Sequence, residues 1–536
     1  MEKIIKKIEG ETFCFESWLK TFLALIFFRV FLEELLSGFK KTELFDFVAF
    51  FGHTLLFFLF SYLIFLLFLQ KIVKEKFFQV ANVLLWGFGI ILFPPLIDKL
   101  VFRDQFVWSF YLFGDFLALL ENFWLFFGDS LRIGVTLGTR VEILVAILGL
   151  ATYVFIKKKQ KKWFFFSLIL FYLIFYILGS FPSWVALVLE LVQGKSLLAF
   201  SESDIVGRFL LPFSFFGFGE MTGGALFAWK MALLYGPLLV LTLVFFQFKK
   251  SQKEFWALLK NVRYPQMVFN SGLFLIGLGL GWLAFPEKLT NDLFSILALV
   301  NLWIAVFSAW FFSVLVNDEE DLAIDLITNP QRPLPLKIFS LEEYRRYRVV
   351  FFFFSLFAPL LINWKLAFLF LVYHGLTFLY SCPPFRWKRF LGVASLVSSL
   401  ASLLFLLVGF LLFSPGQKLV FFPWSLISFL FLSYFLVIPL KDLKDILGDG
   451  KANVLTLPVL IGEKRARLVL AGLFFFNYLL SVYVFREEEL FLPALILGGG
   501  TFWVVVNEKI KARFLPGWVI ALALGYSIFL LKALFK

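Results

Sequence analysis

Apolar runs of about 17 to 25 residues succeed one another along almost the whole chain, each long enough to cross a hydrocarbon core of about 30 Å as a helix. In the first half the pattern predicts spans over residues 18–38, 46–70, 77–97, 141–156, 163–181 and 226–248, the first weakened by Arg29, Glu33 and Glu34. In the second half it predicts spans over 267–285, 293–316, 347–364, 365–380, 390–413, 421–440, 466–485, 489–506 and 516–534. A backbone inside lipid must satisfy its own hydrogen bonds, so these runs read as helices. The expected fold class is an all-α polytopic membrane protein: a transmembrane region of about six helices and unknown function in residues 1–250, followed by a nine-helix bundle in residues 251–536.

The polar stretches between the spans set the orientation. Lysine and arginine gather at 71–76, 157–162 and 249–260, and in the loops after the second, fourth, sixth and eighth spans of the second half. The alternate loops of that half hold only Lys288, Lys365, Lys418 and Arg486. Basic loops face the cytoplasm, which fixes the direction of every span. A crossing over residues 106–127 would put the KKKQKK run on the wrong side, so that segment, with Asp115 and Glu121, reads as interfacial or re-entrant. The outer side then collects Asp98, Arg103, Asp104, Asp129, Arg132, Arg140, Glu142, Glu202, Asp204 and Arg208. Paired charges at headgroup level are the favoured reading of this collection, and a second headgroup site is the alternative.

Composition agrees: 61% of the residues are hydrophobic and 16% charged, against roughly 45–50% and about 25% in a soluble domain. The net charge of +13 sits in short loops beside apolar spans, which makes it a matter of membrane orientation and not of nucleic-acid binding. The two cysteines, Cys14 and Cys382, build neither a disulfide framework nor a cysteine metal site, and His53 and His374 are far apart. The mixed-charge N-terminus, MEKIIKKIEGETF, shows no removable signal peptide. The glycine runs GLGLG from Gly277 and Gly498 to Gly500 lack the strand, turn and helix of a phosphate-binding loop; they suit close helix packing.

Two polar clusters change the picture. VNDEEDLAIDLITNPQRPLP, from Val316, places Asp318, Asp321 and Asp325 at spacings that a continuous helix would bring to one face. KDLKDILGDGKANVLTLP, from Lys441, repeats the spacing with Asp442, Asp445 and Asp449. Both fall on the cytoplasmic side at the end of a span, so the two triads are expected to face each other across a shared cavity. Carboxylates so close repel unless divalent cations sit between them, and an all-oxygen set selects a hard ion such as Mg²⁺, which also binds substrate phosphates. Arg332, Arg386, Lys388 and Arg389 stand near enough in sequence to meet such phosphates. A phosphate head at a membrane surface with its remainder among apolar helices points to a polyprenyl diphosphate.

The segments NDEEDLAID, NPQRPLP, LYSCPPFRWKR and KDLKDILGDGKANVLTLP resemble the signature motifs of the UbiA superfamily of membrane prenyltransferases, over about residues 255–536. The resemblance implies a nine-helix UbiA-like bundle and Mg²⁺-assisted ionisation of an allylic prenyl diphosphate, with transfer of the prenyl group to a lipid or aromatic acceptor. By the same resemblance Asn317, Asp318, Asp321 and Asp325 hold one Mg²⁺, and Asp442, Asp445 and Asp449 hold the other. Arg332, Arg386 and Lys388 neutralise the leaving group and Tyr380 lies near the reacting carbon; Asn270, a polar residue within the first span, either lines the pocket or makes an interhelical hydrogen bond. The family often has a lysine four residues after the tyrosine; here that position is Pro384, and Arg386, Lys388 and Arg389 are the alternatives for its role.

The expected partners are membrane lipids, a prenyl diphosphate donor and a hydrophobic acceptor, with no nucleic acid, in a prokaryotic cytoplasmic membrane. The acceptor, the donor's chain length and the oligomeric state are not specified by these residues. The competing class is a transporter or lipid-binding protein with a charged pathway. It calls for acidic residues near mid-membrane and inverted repeats, whereas these clusters lie at one surface.

Overall fold

The computed structural model describes every residue except 1, 12, 13, 38–43, 104, 106, 212, 215, 217–219, 222, 289–291, 391, 445, 447–449, 451–454, 535 and 536. The chain divides into two units, Met1–Ser214 with Glu220–Phe246, and Phe215–Gly219 with Gln247–Lys536. Among the described residues 12 helices are long and apolar enough to cross a membrane, and the chain is a polytopic membrane protein.

In the first unit these helices are Asp46–Val73, Phe77–Phe102, Leu137–Lys158, Lys161–Gly179 and Gly223–Lys250. The expected first span is also helical, Phe15–Ser37, but its charged residues keep it out of that set. Residues 107–127 hold no helix of membrane-spanning length: they form a two-residue strand, Trp108–Ser109, and a nine-residue helix, Phe116–Trp124, capped by Asp115 through Ala118 N at 2.8 Å. Nine residues reach only about 14 Å. Buried polar side chains fasten the neighbouring loops. Asp98 accepts hydrogen bonds from Thr136 Oγ1 at 2.6 Å and Gly138 N at 2.7 Å, and Arg140 donates to the carbonyls of Phe127, Gly128, Ser130 and Val135.

The second unit holds helices Tyr264–Ala284, Leu293–Glu320, Leu341–Ile362, Trp364–Ser381, Val393–Phe413, Trp424–Val437, Glu463–Phe485, Phe491–Val506 and Leu515–Leu534, one for each expected span; Leu341–Ile362 and Trp364–Ser381 fall outside the set of 12, and the other seven lie within it. Small residues set the closest crossing. A Cβ on Gly277 would stand 2.0 Å from the Leu406 carbonyl oxygen, and one on Gly409 would stand 2.4 Å from that of Phe274, so Tyr264–Ala284 and Val393–Phe413 meet backbone to backbone. Gly279, in the same run, faces open space. Leu334 and Phe339 pack with Val314, Leu315 and Tyr344, which anchors the loop carrying Arg332 to the end of the Leu293–Glu320 helix.

That helix end departs from the expected pattern. Leu293–Glu320 stops at Asp321, which caps it, and a separate helix of seven residues, Leu322–Thr328, follows. Asp318, Asp321 and Asp325 therefore do not share one continuous helical face.

Candidate active site

Each carboxylate of the first cluster has a cationic partner, and Asp318 and Asp325 share Arg332. Asp318 is 2% exposed and accepts from Asn261 Nδ2 at 2.7 Å, Tyr344 Oη at 2.8 Å, Arg263 Nη2 at 2.5 Å and Arg332 Nη1 at 3.2 Å. The same Nη1 of Arg332 pairs with Asp325, which also accepts from Asn329 Nδ2 at 3.0 Å. Asp321 turns the other way. It accepts from Lys388 Nζ at 2.6 Å and Arg386 Nη2 at 2.9 Å, while Lys388 also donates to Asn317 Oδ1 at 3.1 Å and Arg386 to the Glu320 carbonyl at 2.8 Å. Glu319, one of the motif's two glutamates, faces Arg345 at 2.6 Å and Arg348 at 2.5 Å, fixing the helix end against Leu341–Ile362.

Burial acts on both signs of charge here. It raises the Asp325 carboxyl above its ordinary range, with Arg332 opposing, and it lowers the Lys388 ammonium, with Asp321 opposing. Each of the two faces an opposite charge, Asp325 that of Arg332 and Lys388 that of Asp321.

These groups surround one end of a cavity of about 1160 Å³. Its polar part includes Asn317, Asp321, Asp325, Arg332, Lys388 and Asp442. Its apolar part is built by stripes of small and aromatic residues recurring every three or four positions. Tyr373, Leu376, Thr377 and Tyr380 come from one helix, Ala394, Val397, Ser398 and Ala401 from another, and Trp310 and Val314 from the helix that ends in the motif. Phe269 and Tyr434, stacked with ring centroids 4.2 Å apart, form part of the wall.

The structure thus brings Asn317, Asp321, Asp325, Arg332, Tyr380, Lys388 and Asp442 to one cavity. Asp318 is not in its wall and stands behind it as the acceptor that holds Arg263 and Arg332. Arg386 likewise acts on Asp321 from behind the wall, and Arg389 is exposed. Asn270 is 1% exposed, lies outside the cavity wall, and its Oδ1 has no hydrogen-bond partner among the described residues. Asp445 and Asp449 lie outside the described residues.

Sequence reasoning passed over Asn261, Arg263 and Tyr344, which complete the shell of Asp318. The available signal was Pro265 in the first turn of Tyr264–Ala284, which marks a helix start and puts Asn261 and Arg263 just outside it. Lys253, Lys260 and Arg513 also line the cavity.

Residues 273–513 match the UbiA prenyltransferase family. A digeranylgeranylglyceryl phosphate synthase of Methanococcus maripaludis strain C6 is 30% identical over 203 residues, which are 37% of this chain and 69% of that one. The chain belongs to the UbiA prenyltransferase family. A digeranylgeranylglyceryl phosphate synthase of Pyrococcus horikoshii is 29% identical over 196 residues, 35% of this chain and 64% of that one. The 2-acyl-4-prenylphloroglucinol 6-prenyltransferase of Humulus lupulus is 28% identical over 182 residues, 32% of this chain and 43% of that one. The chain therefore spans less than two thirds of the length of these two relatives. Among solved structures, a UbiA homolog from Archaeoglobus fulgidus bound to GPP and Mg²⁺ aligns with a TM-score of 0.40 at 19% identity, covering 52% of this chain and 98% of that one. The UbiA match starts at residue 273, so the first unit lies outside it.

Proposed function

We propose that the second unit transfers a polyprenyl group from an allylic diphosphate to an acceptor at the cytoplasmic face of the membrane. The observation that carries this reading is one cavity with Asn317, Asp321, Asp325, Arg332, Lys388 and Asp442 around its polar end and apolar helix faces behind them. The diphosphate occupies the polar end and the isoprenoid chain the apolar remainder.

The donor set is all oxygen, which suits Mg²⁺. Among the described residues no three such groups already converge on a metal position, because Arg332, Arg386 and Lys388 now occupy the carboxylates. Asn317, Asp321 and Asp325 on one side and Asp442 on the other, with Asp445 and Asp449, are the residues that would hold Mg²⁺. When bound, the metal supplies Lewis-acid stabilisation of the leaving diphosphate. Arg332, Arg386 and Lys388, now paired with those carboxylates, are the cations that would face the diphosphate oxygens if the carboxylates held the metal.

The chain's own residues do the remainder. Arg332 and Lys388 take up the negative charge that grows as the allylic C–O bond breaks, with both bonding electrons leaving on the diphosphate. The apolar faces carrying Val314, Leu376 and Ala401 exclude water from the resulting cation, and Tyr380 and Tyr373 present aromatic surface to it. An acceptor oxygen or carbon then forms the new bond and loses its proton.

Lys253, Lys260 and Arg513, on the same cavity, supply further positive charge and favour an acceptor that itself carries a phosphate. This agrees with the names of the digeranylgeranylglyceryl phosphate synthases among the relatives. Purified full-length protein is incubated with Mg²⁺, a radiolabelled geranylgeranyl diphosphate, and either an isoprenyl glyceryl phosphate or a hydroxylated aromatic acid. Diphosphate release coupled to labelling of the glyceryl phosphate, abolished by EDTA, is the expected result. Release with the aromatic acid alone sinks the acceptor assignment, and no release with either sinks the transferase reading.

A further inference from the structure

The first unit contains a cavity of its own, of about 1380 Å³, larger than the roughly 300–1,000 Å³ of ordinary small-molecule sites. One wall is a single face of the Leu44–Val73 helix: Phe50, His53, Phe57, Ser61, Phe65 and Leu69 recur every three or four residues. At 1.5 Å per residue that face runs for about 28 Å, close to the thickness of the hydrocarbon core. The opposite wall comes from Leu137–Lys158, between Thr139 and Tyr153. The shape is a long apolar slot.

Its polar groups are unevenly distributed. Arg29, Glu33, Glu142 and Glu202 all line the cavity. The guanidinium of Arg29 is already committed, with Nε 2.8 Å from Glu33 Oε1 and Nη1 on the Ile91 carbonyl. Glu142, within electrostatic reach of Arg29 and Glu33, makes no hydrogen bond or ion pair among the described residues. Midway along the slot Ser61, 6% exposed, has a buried hydroxyl with no hydrogen-bond partner among the described residues. Ser61 is thus an unmet buried hydroxyl in the wall of the cavity, and Glu142 is a half-buried carboxyl in the same wall, open to a ligand that donates a hydrogen bond. No uncommitted Lys or Arg lines the slot among the described residues, so an anionic head would find no free counter-charge there.

We propose that this slot binds a long-chain lipid whose head group donates hydrogen bonds and carries no negative charge, with Glu142 and Ser61 as its polar contacts. The assignment stands apart from the prenyl-transfer reading of the second unit. Isoprenoid alcohols and acylglycerols share the required chemistry, and competition distinguishes them.

The test uses full-length protein in nanodiscs and a photoactivatable long-chain alcohol, with labelled peptides mapped by mass spectrometry. Labelling is expected in residues 50–69 and 139–153, competed by unlabelled geranylgeraniol or by monoacylglycerol, whichever is the natural class, and not by geranylgeranyl phosphate. Gly149 lines the slot, and a Cβ there meets nothing within 4 Å, so Gly149→Phe fills the space without displacing a neighbour and should cut labelling at least tenfold. Ser61→Ala should cut it several-fold. Labelling confined to other peptides, competition by the phosphate alone, by all three lipids equally or by none, or full labelling of Gly149→Phe overturns the assignment.

Discussion

Lys388 Nζ lies 2.6 Å from Asp321 Oδ2, although the two residues are 67 positions apart in the sequence. The ammonium is mostly buried and also reaches Asn317 Oδ1 at 3.1 Å, so it is aimed by two acceptors at the polar end of the cavity. In the proposed mechanism its charge serves the leaving group only while it holds that position. Lys388→Ala should lower diphosphate release by about 10²–10³-fold at saturating donor, the usual loss when one preorganised charge stabiliser is removed. Lys388→Arg should recover part of it. Quench-flow measurement of diphosphate release decides: wild-type rates in Lys388→Ala remove it from the proposed mechanism.

Asp318 and Asp321 should part company when each is changed to alanine. Asp318 is buried beneath Asn261, Tyr344, Arg263 and Arg332, and its loss removes the acceptor they share, leaving Arg332 only Asp325 and Asn261 only the Tyr344 hydroxyl. Breaking a buried pair of this kind costs about 3–5 kcal/mol, so Asp318→Ala should show a clear fall in thermal stability in detergent as well as lost activity. Asp321 lines the cavity, and its removal should abolish turnover; Lys388 keeps Asn317 Oδ1 and Arg386 keeps the Glu320 carbonyl, so melting should fall less than in Asp318→Ala. Equal melting losses for the two would contradict the distinction drawn between an acceptor behind the wall and a ligand within it.

Helix packing makes a paired prediction within one glycine run. Gly277→Ala would drive a Cβ to 2.0 Å from the Leu406 carbonyl oxygen, whereas a Cβ at Gly279 meets nothing within 4 Å. Overpacking a tight contact costs typically about 1–3 kcal/mol. Gly277→Ala should therefore lower the thermal midpoint measured by light scattering in detergent, and Gly279→Ala should leave it unchanged. A similar shift in both would mean that the run tolerates or resists side chains without regard to this crossing.

The spans were legible because lipid imposes one rule on every segment, and helix ends such as those of Leu293–Glu320 and Val393–Phe413 follow the apolar runs closely. The motif residues were legible too, since Asp321, Asp325, Arg332, Lys388 and Asp442 do line one cavity. What the spacing missed was the helix break at Asp321: three residues at i, i+3 and i+7 share a face only while the helix continues. The shell of Asp318 was hidden for another reason. Asn261 and Tyr344 lie 57 and 83 residues apart from their partners, Asp318 and Asn261 respectively, and long-range side-chain contacts leave no periodic trace in a sequence. Asn270 shows the converse error, a polar residue in an apolar run that is buried beside the cavity's helices without entering its wall.

The two cysteines offer a pH-dependent test of the loop that carries Lys388. Cys382 follows the Trp364–Ser381 helix, and its thiol is pushed up to about 11, first by burial and then by the neighbouring Glu320. Cys14 is exposed, and hydrogen bonds with Ser17 lower its thiol below the ordinary value. The thiolate is the reactive form, and a raised pKa means less of it at neutral pH. Iodoacetamide at pH 7.5 should modify Cys14 and leave Cys382 almost untouched. Raising the pH toward 10 should bring Cys382 into reaction while the Cys14 rate has already levelled off. Glu320→Gln, by removing the negative charge, should move the Cys382 profile to lower pH. Site-resolved mass spectrometry of the two peptides gives both curves; comparable rates at pH 7.5 would mean that the Cys382 loop is open to water and that Lys388 is not sheltered as drawn.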